Sequence, residues 1–321
     1  MGIRVPRRST VALAAVGVLA SSGGAYVGAR NFLYEQADQA RSVIPRTWDA
    51  PPRADGVYTP GGGPVERWSR GVPFDLHLMI FGDSTATGLG CQSADDVPGV
   101  LLARALADET GKQIRLSTKS IPGATSKGLS GQVDAMFVAG PHPDAAVIMI
   151  GANDITALNG VAPSARRLGA AVTRLRAAGT VVVVGTCPDF GVIIAIPQPL
   201  RWTVRTRGLR LARAQAAAVR AAGGVPVPLA DLLAPEFLHA PELLFSEDMY
   251  HPSAAGYALA ARQLFPALCS ALGEWTGGPV PELPWVSRAA EARTLRSRLR
   301  LVARMWRRTT GVPAPVVVPA G

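Results

Sequence analysis

From residue 75 onward, short apolar runs alternate with longer stretches in which apolar residues recur every three or four positions. The short runs are 76–81, 114–118, 145–150, 181–184 and 225–229, rich in branched residues and of strand length. Between them the spacing predicts helices over 99–110, 129–138, 163–178 and 202–222. A last helix is predicted to start at the N-cap Ser253 and run to about Leu272. Strands that are apolar throughout rather than alternating belong in a sheet covered on both faces, so this rhythm predicts a parallel five-stranded sheet between two helical layers.

The flanks follow other patterns. Arg4, Arg7 and Arg8 precede Val11–Ala29, which carries no charge, and this order predicts an export signal over 1–30. The small residues Val27-Gly28-Ala29 suit cleavage, whereas the run is also just long enough to stay as a membrane anchor. Either outcome makes the protein exported to the cell envelope, anchored or secreted. Residues 31–74, with Pro45, Pro51, Pro52, Pro60, Pro64, Pro73 and Gly61-Gly62-Gly63, read as a linker. Residues 75–275 form the domain, and 276–321 a basic amphipathic helix and Pro-rich tail. Within the tail Leu295, Leu299, Val302 and Trp306 share one helical face over 286–309, opposite Arg293, Arg296, Arg300, Arg304 and Arg307. A membrane surface is a candidate partner for it, and packing of its apolar stripe on the body is the alternative.

Composition refines this picture. Of 321 residues 48% are hydrophobic, enough for a sizeable core. Arginine outnumbers lysine 30 to 3, which suggests a GC-rich bacterial genome. The net charge of +10 resides at the ends, because 1–10 carries +3, 286–321 carries +7, and 11–285 balances 22 basic against 22 acidic residues. A neutral body predicts no nucleic-acid partner. Cys91, Cys187 and Cys269 are too few for a disulfide framework, although one bridge remains open. Neither they nor His77, His142, His239 and His251 have metal-ligand spacing, so no metal site is expected.

Candidate chemistry collects where the strands end, the side on which open α/β sheets bind ligands. Gly82-Asp83-Ser84 follows the first run, Pro122-Gly123 the second, Gly151-Ala152-Asn153-Asp154 the third, and Asp248-Met249-Tyr250-His251 precedes the last helix. These types suit acyl transfer. A serine hydroxyl needs a neighbouring imidazole, and the imidazole needs a carboxylate to orient it. Ser84, His251 and Asp248 supply them. The backbone N–H groups of Ser84 and Gly123 and the Asn153 amide are candidate oxyanion donors, with the missing side chain of Gly123 permitting close approach. Asp83 and Asp154 read as loop-shaping acceptors, and His77, His142 and His239 as structural. Neither a G-x-S-x-G elbow in the body nor a complete dinucleotide fingerprint competes with this reading.

The four blocks together resemble those of the SGNH (GDSL-type) hydrolases over about 75–272, with Gly82-Asp83-Ser84-Thr85 where Gly-Asp-Ser-Leu is commoner. The resemblance implies a flavodoxin-like three-layer α/β/α sandwich, an exported esterase or lipase acting on acyl esters through an acyl-enzyme, and no cofactor. It implies Ser84, Asp248 and His251 as catalytic residues, with Ser84, Gly123 and Asn153 forming the oxyanion hole. Transfer or removal of acyl or acetyl groups on envelope carbohydrates is an alternative with the same residues, and a non-catalytic envelope-binding module is another. The greasy segments that follow the fourth and fifth strands, around Phe190, Val192, Ile193, Ile194 and Ile196, and around Phe237, Leu243, Leu244 and Phe245, are expected either to wall an acyl pocket or simply to pack on the helices.

Overall fold

The computed structural model describes residues 27–39, 52 and 54–278. The expected signal and the 286–309 helix therefore lie outside the described residues, apart from the last residues of the uncharged run. In chain order the elements are α1 (27–39), β1 (Gly56–Tyr58), β2 (Leu76–Gly82), α2 (Ser84–Thr87), α3 (Pro98–Thr110), β3 (Ile114–Thr118), α4 (Leu129–Ala139) and β4 (Ala145–Met149). There follow α5 (Ala152–Thr156), α6 (Val161–Ala177), β5 (Val181–Gly185), α7 (Leu200–Ala221), β6 (Val225–Val227), α8 (Leu229–His239), α9 (Pro241–Leu244) and α10 (Ala254–Leu272).

The sheet has the order β1-β3-β2-β4-β5-β6. The five strands expected from the apolar runs are all present and parallel, and they form one body with helices on both faces. Successive side chains of a strand face opposite layers. Leu78 and Ile80 pack with α3 and α10, whereas Met79 and Phe81 pack with α4, α6 and α7. Ser253 caps α10 as expected, its hydroxyl accepting from the Gly256 N–H at 3.2 Å.

Two features depart from the expected architecture. A sixth strand, β1, pairs antiparallel with β3, so the sheet is mixed rather than wholly parallel. β1 comes from the Pro/Gly-rich stretch expected to be a linker, and its Val57 and Tyr58 are buried. Three residues between prolines and glycines are too short to show strand periodicity, and pairing on an exposed edge is what makes them extended. The same stretch contains most of α1. Its Gln36 is buried, donating to the Gln198 carbonyl at 2.5 Å and accepting from the Leu200 N–H at 3.1 Å.

Candidate active site

The site stands at the carboxyl ends of β2, β4 and β5. Gly82 has φ +140°, and a Cβ there would lie 1.9 Å from the Met149 carbonyl oxygen, so only glycine lets β2 end against β4. The buried Gln132 of α4 clamps this end, accepting from the Gly82 N–H at 2.9 Å and donating to its carbonyl at 2.7 Å. Asp83 then caps α2, its Oδ1 accepting from the Thr85 N–H at 3.0 Å and the Thr85 hydroxyl at 2.8 Å. Ser84 is consequently the first residue of a one-turn helix, where backbone N–H groups are unpaired by the helix itself.

Between β6 and α10 the chain folds back through Asp248. Its Oδ1 accepts from the Ser246 hydroxyl and from the N–H groups of Tyr250 and His251, each at 2.8 Å. Its Oδ2 lies 2.6 Å from His251 Nδ1. Burial alone would raise this carboxyl, but the hydrogen bonds from His251 and Tyr250 outweigh it and hold Asp248 down at about 2. An ionised Asp248 fixes the proton on Nδ1 and leaves Nε2 as the acceptor. Nε2 stands 3.0 Å from Ser84 Oγ, across 167 residues of sequence. All three proposed catalytic residues are therefore within hydrogen-bond reach.

Asn153 follows Gly151, whose φ of +135° turns the chain out of β4, and its Nδ2 donates to the Ala124 carbonyl at 3.1 Å. That bond ties it to the turn containing Gly123. Ser84, Gly123 and Asn153 line one cavity. At Gly123 no protein atom lies within 4 Å of where a Cβ would stand, and φ is +79°. The backbone conformation there favours glycine, and the space beside it is open.

Asp154 is buried and joins the two loops: it accepts from the Ser126 N–H and hydroxyl, both at 2.8 Å, and from Asn159 and Ser164, both at 2.9 Å. Asp83 and Asp154 thus act as loop-shaping acceptors. His77 is buried with its Nε2 2.9 Å from Ser117 Oγ, and His142 packs edge-on against Phe137. His239 ends α8. Cys91, Cys187 and Cys269 are buried and free, so the bridge left open by the sequence does not form. Among the described residues no cluster of metal-ligating side chains occurs and no helix is long and apolar enough to cross a membrane.

The sequence reading missed Gln132 and Gln215. Gln215 of α7 is buried, accepts from the Cys187 N–H at 2.7 Å and donates to the Ile150 carbonyl at 2.8 Å, linking the ends of β4 and β5. A glutamine placed among apolar positions of a helix is the available signal for such a clamp.

The cavity, about 280 Å³, reaches from Ser84 and His251 to Leu229 and Ala260. Phe190, Val192, Ile193, Phe237 and Phe245 line it as expected. Ile196 and Leu244 are buried behind the wall, whereas Ile194 and Leu243 are exposed. The stretch after β6 is helical as α8 and α9.

Known proteins match this chain closely. A model of the GDSL-like lipase/acylhydrolase family matches residues 80–259. A GDSL-like esterase of Mycobacterium tuberculosis is 66% identical over 318 residues, covering 99% of this chain and all of that protein. Among solved structures, a lipase/acylhydrolase from Enterococcus faecalis aligns at 21% identity and TM-score 0.48, over 60% of this chain and 94% of its own. Axe2, an acetylxylan esterase from Geobacillus stearothermophilus, aligns at 21% identity and TM-score 0.46, over 62% and 94%.

Proposed function

The chain belongs to the GDSL-like lipase/acylhydrolase family and is a carboxylic ester hydrolase, and from that premise we propose that Ser84 is its nucleophile, working through an acyl-enzyme at the cell envelope. His251 Nε2 takes the proton as Ser84 Oγ attacks the ester carbonyl. Asp248 orients the ring and stabilises the imidazolium that forms. The Ser84 and Gly123 N–H groups and the Asn153 amide receive the negative charge on the carbonyl oxygen. His251 then gives its proton to the leaving alkoxide, and water, activated by the same imidazole, releases the acid.

The observation that carries this reading is the continuous line from Asp248 Oδ2 to His251 Nδ1 at 2.6 Å and from His251 Nε2 to Ser84 Oγ at 3.0 Å. The adjoining aromatic and aliphatic wall supports an acyl chain as the group bound. Export rests on Arg4, Arg7, Arg8 and the uncharged run behind them, and a membrane contact of 286–309 on its amphipathic pattern. A panel of aryl esters of graded acyl length, run on the wild type and Ser84→Ala, tests the assignment. Hydrolysis should vanish in the variant, together with labelling by a fluorophosphonate. Undiminished turnover in Ser84→Ala would remove Ser84 from the mechanism.

A further inference from the structure

The near-neutral charge of the body conceals a segregation by layer. Helices α6 and α7 lie side by side over one face of the sheet, Gly169 of the first against Ala218 of the second. They carry four and six arginines, and neither contains an aspartate or glutamate. Arg166, Arg174 and Arg176 of α6 and Arg210, Arg213 and Arg220 of α7 are exposed. Asp134 meets Arg174 at 2.6 Å, Asp189 meets Arg205 at 2.9 Å and Asp154 stands 3.9 Å from Arg167, and the acids of these pairs all come from outside the two helices. The helices associated with the opposite face, α3, α8, α9 and α10, carry Arg104 and Arg262 against Asp108, Glu109, Asp231, Glu236 and Glu242. One side of the molecule is thus strongly basic and the other mildly acidic.

The N-terminal helix joins the basic side at one end. Gln36 fastens α1 to Gln198 and Leu200, at the very start of α7. The uncharged run Val11–Ala29 leads directly into α1, so the chain reaches the folded body at the edge of the basic layer. Exposed aromatics gather on the same elements: Phe32 and Tyr34 on α1, and Trp202 in the first turn of α7. Arginine beside aromatic side chains is the composition that suits a headgroup region, with the charge toward phosphate and the rings at the interface.

We propose that the outer face of α6 and α7, with Trp202 and α1, is a docking surface for an anionic lipid bilayer. The acidic layer then faces away from the bilayer. The inference does not use the residues of the candidate helix at 286–309 and does not depend on the roles given to Ser84, Asp248 and His251.

Because the three native cysteines are buried, single labels can report which side meets lipid. Full-length protein would carry a fluorophore on Ala170→Cys in α6, Ala217→Cys in α7 or Asp108→Cys in α3, all exposed positions. Vesicles containing phosphatidylglycerol should shield the α6 and α7 labels severalfold from an aqueous quencher and leave the α3 label accessible. Half-molar salt should largely reverse the shielding, since screening shortens the reach of such charges. Arg166→Glu/Arg210→Glu/Arg213→Glu should abolish it while hydrolysis of a soluble aryl ester persists as the control for folding. The milder glutamine triple should weaken it, which keeps the test available if the reversed charges unfold the chain. Equal shielding of all three labels, equal shielding by phosphatidylcholine vesicles, or shielding unchanged in the variants would overturn the proposal. So would shielding by duplex DNA with none by vesicles, which would assign the face to a nucleic acid.

Discussion

Asp83 stands one residue before Ser84 with its side chain buried. Burial pushes this carboxyl up from 3.8 to about 6, against the lowering pull of the Thr85 hydroxyl and N–H. A raised carboxylate contributes stability that is fully present below its unfolded value, near 4, and is lost as pH rises through about 6. Between pH 4.5 and 7.5 this single group should cost the wild type about 2 kcal/mol. In Asp83→Asn that loss should disappear, which urea unfolding of both proteins at the two pH values would measure. An identical pH dependence would mean that Asp83 keeps its ordinary titration. Asp248 behaves oppositely: it is already ionised well below neutrality, and its support fades only as pH falls toward about 2. At Asn153 the expected effect is kinetic. Asn153→Ala should lower kcat by roughly 10²–10³ with little change in KM if the amide serves the transition state. An increase confined to KM would instead place its role in ground-state binding.

At the scale of elements, the cavity is made by pieces whose packing decides what they become. The α8 helix contributes Leu233, Ala234 and Phe237 to the cavity lining, and the turn after β5 contributes Phe190, Val192 and Ile193. That turn is pinned from outside by Arg205, whose Nε donates to both Asp189 oxygens at 2.9 and 3.0 Å, while Asp189 accepts from the Gly191 N–H at 2.8 Å. The sequence displayed the apolar residues but not this pin, because a charge pair between a loop and a helix 16 residues later has no local pattern. The four polar blocks were legible for the opposite reason: each directly follows a strand or precedes a helix, so topology alone gathers them. Ala234 is the small residue on the wall where added bulk should be felt. Ala234→Leu should reduce kcat/KM for an octanoyl ester by about tenfold or more and leave an acetyl ester nearly unchanged, since apolar fit is worth roughly that much per group. Equal losses for both esters would show that the acyl chain does not occupy this space.

For the whole molecule, the sheet's exposed edge explains what the N-terminal stretch is for and why composition concealed it. β3 would end the sheet if β1 did not pair with it, through Gly56 to Leu116 and Tyr58 to Ile114. Further along the same stretch, Trp68 lies under the Arg115 guanidinium, 3.4 Å from ring centroid to carbon, and Val57 bridges Glu66. Proline and glycine marked this segment as a linker. An edge strand of three residues tolerates both, however, and its stabilisation comes from β3 rather than from its own propensity. Cutting the chain at two places separates these contributions. A protein beginning at residue 52 loses the Gln36 contact but keeps β1, and it should retain its soluble esterase activity and nearly all of its cooperative unfolding. A protein beginning at residue 75 loses β1 and Trp68, uncovers Ile114 and Leu116 along an unpaired edge, and should unfold at a temperature lower by several degrees and aggregate on warming. Thermal unfolding with light scattering would distinguish the two, and equal stability of both truncations would mean that the sheet is complete with five strands.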